Sequence, residues 1–424
     1  MFGLSTAVLV ILIILIALVL FMTEIVPLPV TAMSVAVSFY LIGAIDANTA
    51  LKSFASGTTM IIASMAVIGQ SVFETGGAAK IGTLLTKVSK DERHFMFAIV
   101  LLSGLMSGFL SNTGAAALLL ALILGMCAST GMQRSKLVGC CFGGGITIVG
   151  TTSGPFLKET LDKLNIGETM NFFEFAPLSL ILLVVAALYM ATIGYKLLPD
   201  KPRNEGEFSS ESLQVKDYSQ VPAWKRVISL GVMLGALLGM IFSKEIGIPL
   251  HFIAIIGAMI VVAFRCISMS TAAKSVPISG IIIYAAMVPV AAAMKNSGAA
   301  KLIADATMNA MGGMTSPMLI LLLIFAIITP ITNFMSNAAT IILFTPIALV
   351  IANTLGIAPK AILIAVRFAA SIAVATPVAM PANSMAVEPG GYNFMDYVKP
   401  GLPLTIICIA ISLVYIAVFY PLKF

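Results

Sequence analysis

Long apolar blocks separated by short polar connections recur along the whole chain. A block of about 20 apolar residues is the length that crosses a hydrocarbon core of about 30 Å as a helix. The pattern predicts helical spans near residues 4–22, 28–45, 57–73, 137–153 and 174–198. A second series follows near 226–243, 249–266, 276–294, 360–380 and 402–421, the fourth of these broken by prolines. Two further apolar runs, near 95–128 and 316–353, are interrupted in the middle by Ser111-Asn112-Thr113 and by Ser336-Asn337-Ala338. Each arm beside these triplets is expected to be too short to cross the core, so each run is expected to be a re-entrant hairpin with a polar tip.

The hydrophilic stretch from Pro199 to Pro222 divides the chain, which is organised as residues 1–198, a linker at 199–225, and residues 226–424. The halves repeat each other in residues as well as in hydropathy. Gly77-Ala78-Ala79-Lys80 recurs as Gly298-Ala299-Ala300-Lys301, and Asn112 recurs as Asn337, 225 positions later. Five crossings per half is an odd number, so the second half is inverted relative to the first. Inverted repeats with broken helices meeting near the midplane are the architecture of secondary transporters. The expected fold class is therefore an all-α polytopic membrane protein of two inverted repeats, each of five spans and a re-entrant hairpin.

Charge orients this arrangement. Fifteen of the 24 Lys and Arg fall on the side that holds the linker and eight on the other, with Arg367 mid-span. By the positive-inside rule the linker is cytoplasmic, both termini face outward, and the chain lies in the plasma (inner) membrane. Residues 4–22 have no basic n-region and no small-residue cleavage site, and are expected to be a retained span.

Composition removes other classes. The chain of 424 residues is 59% hydrophobic and 10% charged, against about 25% charged in an average soluble protein. The net charge of +6 sits in short loops between spans, which argues for membrane orientation and against nucleic-acid binding. Cys127, Cys140, Cys141, Cys266 and Cys408 lie in or beside spans without CxxC spacing, and two histidines are too few for a zinc centre. No nucleophile–His or paired-carboxylate constellation appears in the spans, so the chain is expected not to be an enzyme.

The polar tips are where chemistry concentrates. Ser107 and Ser111 share a helical face, and hydroxyl, amide and freed carbonyl oxygens are hard ligands of the kind Na⁺ accepts. Asn112 can offer its carbonyl to a cation and its amide to an anion. The helix after each tip presents free N–H groups and positive dipole to an anion. In the second tip Thr332 can add a cation oxygen, and Ala338 stands where Thr113 stands in the first. The alternative is that these side chains merely cap short helices. Two further irregular stretches, Gly143 to Pro155 and Ala375 to Asn383, free more backbone groups. Arg367 is an ionisable group inside a span, where charge is costly. Its candidate partners are a substrate carboxylate, a protein acid, or the interface by snorkelling.

Together these residues resemble the divalent anion/sodium symporters, which carry dicarboxylates, citrate or sulfate. The resemblance covers most of the chain. It rests on Thr23 to Ala32, the two tips, Gly150-Thr151 as the start of a GTPPN-like loop, and Pro377 to Asn383 as a PVATPPN-like loop. It implies an elevator transporter, usually a homodimer, with a scaffold domain and a moving transport domain. It implies one Na⁺ site at Ser107, Ser111, Asn112 and the Gly150 backbone, and another at Thr332, Asn337 and the backbones of Met335 and Ala379. Substrate would lie between the tips at Asn112, Thr113, Asn337 and Pro381, with Ala338 and Arg367 as further candidates. The departures fall on the substrate side. Ala338, Met380 and Ala382 replace Thr, Thr and Pro, and Thr152-Ser153-Gly154 stands for Pro-Pro-Asn. An extra N-terminal span that many relatives carry is expected to have no counterpart here. The expected activity is Na⁺-coupled import of a small anion, a di- or tricarboxylate first, with an exchanger, an H⁺-coupled carrier or an anion channel as alternatives.

Overall fold

A computed structural model describes residues 5–23, 25–77, 92–108, 153–162, 169–171, 173–201, 221–299, 316–377 and 380–422, with isolated positions 120, 123, 127, 301, 302 and 305. Ser111, Asn112, Thr113, Gly150, Ala379 and most of the linker lie outside the described residues.

The described chain is helical. The helices used below are α1 (Thr6–Thr23), α2 (Leu28–Leu41), α3 (Gly57–Glu74), α4 (Glu92–Ser107), α5 (Ser153–Asp162), α6 (Ala176–Tyr189) and α7 (Ala223–Ile241). They continue as α8 (Leu250–Ala263), α9 (Ile278–Met287), α10 (Pro289–Ser297), α11 (Pro317–Thr332), α12 (Asn337–Leu355), α13 (Pro359–Ser371), α14 (Pro381–Gly390) and α15 (Phe394–Phe419). Among the described residues six helical stretches are long and apolar enough to cross a membrane: 47–74, 176–197, 223–241, 278–297, 337–355 and 394–419. On α15, Leu402, Ile406, Val414 and Val418 are exposed at four-residue multiples, an apolar stripe suited to lipid rather than water.

Five of the ten expected spans coincide with these long helices, four with the shorter helices α1, α2, α8 and α13, and the one near 137–153 lies, but for Ser153, outside the described residues; two further details differ. The two arms of the second tip are 16 and 19 residues long. The expectation that both are too short to span therefore holds for α11 and not for α12, which continues through Pro346 without breaking. The last helix begins at Phe394 rather than near 402. Asn393 and Asp396 form a reciprocal capping box that starts it upstream of Pro400 and Pro403. The repeated Gly298 has a local explanation: it closes α10 with φ 79°, a conformation that favours glycine. In the first half Gly76, one position before Gly77, has the corresponding φ of 72°.

We take the described helices as two groups that touch at several places. In the first, α3 lies against α7 and α8, and α2 against α1 and α9. Ile61, Met65, Ile68 and Val72 of α3 meet Met233, Leu237 and Met240 of α7 and Ala254 of α8. In the second, α11, α12 and α15 surround α13, α4 packs on α6, and α5 packs on α12 and α13. The larger contacts between the groups are those of α9 and α10 with α12, and of α3 with α5. One apolar core is continuous through these contacts.

At the centre of the second group every residue of α13 from Ala361 to Ala370 is buried. A helix buried on all sides needs no polar face, which explains a sequence of Ala, Ile, Leu, Val and Phe broken by one arginine. Its first turn is tied to the chain end. Lys360 Nζ lies 3.0 Å from Glu174 Oε1, which also accepts from the Tyr420 hydroxyl at 2.9 Å. Burial first, and the Glu174 carboxylate second, hold the Tyr420 phenol above its ordinary range, so it remains a donor.

Candidate functional site

The candidate site residues that the structure describes lie where α11 stops and α12 starts. α11 ends at Thr332, with Pro330 in its last turn. Ser336 takes the extended conformation of an N-cap, and its Oγ accepts from the Ala339 N–H at 3.3 Å. Asn337 is thus the first residue of a 19-residue helix, at the end where free N–H groups and helix dipole favour an anion.

A second break faces the first. α13 ends at Ser371, and the described residues Ile372 to Pro377 and Met380 lie outside helix before α14 starts at Pro381. Buried backbone of this sort must have its polar groups satisfied. Two asparagines do so. Asn333, 5% exposed, accepts from the Ala375 N–H at 3.0 Å and donates to the carbonyls of Thr329 at 2.8 Å and Ile372 at 3.4 Å. Its own carbonyl accepts from the Thr376 hydroxyl. Asn383, 2% exposed, donates to the carbonyls of Ala373 and Thr376, each at 3.0 Å. Tyr397 of α15 donates to the Asn383 carbonyl at 2.7 Å. Both asparagines sit in the stretches singled out by sequence, and their role as clamps was not assigned there.

The expected cation ligands are partly brought together. Thr332 Oγ1 lies 3.0 Å from Asn337 Oδ1 and 2.7 Å from the Ala370 carbonyl. Three hard oxygens thus converge at the junction of α11, α12 and α13, and this donor set fits Na⁺. Ala370 is an addition: a backbone carbonyl of another helix carries no mark in the sequence. Met335 is buried beside this junction. Ser107, expected at the other cation site, is buried at the end of α4. Its expected partners Ser111, Asn112 and Gly150 lie outside the described residues.

The expected anion contacts are changed in a specific way. The Asn337 amide donates to the Met380 sulfur at 3.2 Å, so the group expected to meet substrate faces a thioether, a weak acceptor. Ala338 is half-buried on the first turn of α12, and Pro381 opens α14. Arg367, 3% exposed, is placed against Phe175, with its guanidinium 5.5 Å from the ring centroid, and donates to Ser371 Oγ one turn along its own helix. Neither an aromatic face nor a hydroxyl of the protein is among the candidate partners expected for it from the sequence.

The model of the citrate transporter family matches residues 18–348 and 334–424 of the chain. An uncharacterized transporter of Escherichia coli, YfbS, is 32% identical over 239 residues, which are 56% of this chain and 39% of that protein. The sodium-dependent high-affinity dicarboxylate transporter 3 of Caenorhabditis elegans is 24% identical over 461 residues, covering 93% of this chain and 80% of that protein. The match spans well under half the length of the first two curated relatives, 39% and 26%. Among solved structures, the YdaH transporter of Alcanivorax borkumensis superposes with a TM-score of 0.61 at 15% identity, over 99% of this chain and 100% of that one. That likeness is one of fold.

Proposed function

Because the chain belongs to the citrate transporter family, a family of membrane transporters and not of enzymes, we propose that it is a Na⁺-coupled symporter of a small carboxylate. A di- or tricarboxylate is the first candidate. The observation that carries the cation half is the convergence of Thr332 Oγ1, Asn337 Oδ1 and the Ala370 carbonyl at a break between buried helices. Sodium would be held there by this chain's hydroxyl, amide and carbonyl oxygens, with Met335 and Ala379 as backbone candidates and a second site around Ser107, Ser111, Asn112 and Gly150. The anion would meet the N-terminal end of α12 at Asn337 and Ala338, with Asn112, Thr113 and Pro381 opposite. The Caenorhabditis elegans relative, a sodium-dependent dicarboxylate transporter by name, agrees with both halves of this reading.

The division of the helices into two groups supports an elevator mechanism. α11 to α15 with α4 to α6 would be the moving group, and α1 to α3 with α7 to α10 the fixed one, in a homodimer built from two inverted repeats. A proteoliposome assay tests the coupling. Uptake of a labelled di- or tricarboxylate is expected to require an inward Na⁺ gradient and to saturate. Equal saturable uptake with choline in place of Na⁺ would leave an exchanger or an H⁺-coupled carrier, and non-saturating flux a channel.

Selectivity has its own expected outcome. Ala338→Thr restores a hydroxyl at the first turn of α12, beside the Asn337 amide. One added hydrogen bond to a charged ligand predicts about tenfold tighter competition by a C4 dicarboxylate. Unchanged competition would separate the altered residue from substrate choice.

A further inference from the structure

Tyr284 of α9 has no exposed surface, yet its hydroxyl is the centre of a polar junction. It donates to the Glu159 carboxylate of α5 and lies 3.1 Å from Ser56 Oγ, the N-cap of α3. Its ring meets Phe156 of α5 edge-on, with centroids 5.9 Å apart. Ser56 is itself fixed, since its Oγ accepts from the Thr59 N–H at 3.3 Å, and the Thr59 hydroxyl donates to the Ser53 carbonyl at 2.8 Å. Tyr284 and Ser56 belong to the first group of helices and Glu159 to the second. A cavity of about 1010 Å³, lined by Ser56, Glu159, Asp162, Glu245 and His251 among others, opens along the same boundary. Nothing in the proposed sodium or carboxylate sites uses these residues.

We infer that Glu159 and Tyr284 are positioning residues for transport: their bond latches the two groups in the arrangement of this structure and must part for the groups to move past each other. The inference rests on the transport reading of the two groups. The bond is charge-assisted and partly buried, and such bonds are stronger than neutral ones. Rigid-body displacement of one group against another is the ordinary means of alternating access, and motion at this boundary stretches the Glu159–Tyr284 pair.

Two measurements on the full chain, with the five native cysteines replaced, test the latch. The first puts Glu159→Cys and Tyr284→Cys in one chain and joins them with a short bifunctional methanethiosulfonate. Uptake is expected to stop on tethering and to return when reductant cleaves the tether, whereas full uptake while tethered would overturn the inference. The second needs no substrate. Spin labels at Glu245 and Phe394, one on each group, report their separation in nanodiscs. Tyr284→Phe, which keeps the ring against Phe156, is expected to lower the population at the wild-type distance about tenfold relative to any other. An unchanged distance distribution would overturn the latch even if the transport reading stands. Absence of carboxylate uptake with a shifted distribution would instead count against the substrate reading alone.

Discussion

Asn337→Ala is expected to lower Na⁺-driven uptake about 100-fold or more while the protein still purifies folded. One side chain serves both halves of the proposed site. Its Oδ1 is one of three oxygens gathered around Thr332, and its amide is the donor now facing Met380. Removing it deletes a cation ligand and an anion donor together, and two losses of about tenfold each multiply. Folding is less exposed to the change. Ser336 still caps α12, and Thr332 keeps its bond to the Ala370 carbonyl. The measurements are the initial rate of uptake at saturating Na⁺, expected to fall by that factor, and the thermal shift induced by Na⁺ alone, expected to shrink. Uptake within a few-fold of wild type would remove Asn337 from the site. Asn112→Ala should act alike if the two tips share one site.

The second large effect is structural and lies away from the ligands. Gly401→Ala is expected to destabilise the protein strongly. A Cβ at Gly401 would stand 2.4 Å from the Val374 carbonyl oxygen and 2.6 Å from Ala375 Cα. Both are backbone atoms of the broken stretch after α13, so neither can rotate aside. Overpacking against side chains costs about 1–3 kcal/mol, and against fixed backbone the upper end or more is expected. The Val374–Ala375 segment is also held by Asn333 and Asn383, so displacing it would disturb the bonds around the tip. A fall of several degrees in melting temperature in nanodiscs, with weakened Na⁺ binding in what remains folded, is the expected result. Wild-type melting would mean that α15 can move away from the break freely.

Much of this arrangement is legible along the chain because a membrane helix declares itself locally. The apolar blocks predicted near 57–73, 174–198 and 226–243 correspond to helices at 57–74, 176–197 and 223–241. The interruption of the second hairpin run at Ser336-Asn337 coincides with the break between α11 and α12. The start of α15 was less legible, because prolines at 400 and 403 mask a capping box formed upstream by Asn393 and Asp396. The length of α12 was hidden in the same way by Pro346, whose missing N–H is tolerated inside the helix.

Which helices pack together could not be read from any one of them. α13 announces itself as apolar, but that Thr329 and Thr332 of α11 both donate into its carbonyls, at Ala369 and Ala370, depends on where the two helices cross. The same holds for Met380 and the Asn337 amide, 43 residues apart, and for Glu159 reaching Tyr284. The sequence by itself determined the membrane, the spans, the family resemblance and the residue types at the tip, because these follow from hydropathy and from side-chain chemistry at one place in the chain. The tertiary structure alone decided which carbonyl completes the oxygen cluster, which group faces the amide, and what clamps the broken backbone. Those contacts are made by backbone atoms and distant side chains, and buried polar groups take whichever partners the packing of α11, α12, α13 and α15 brings within reach.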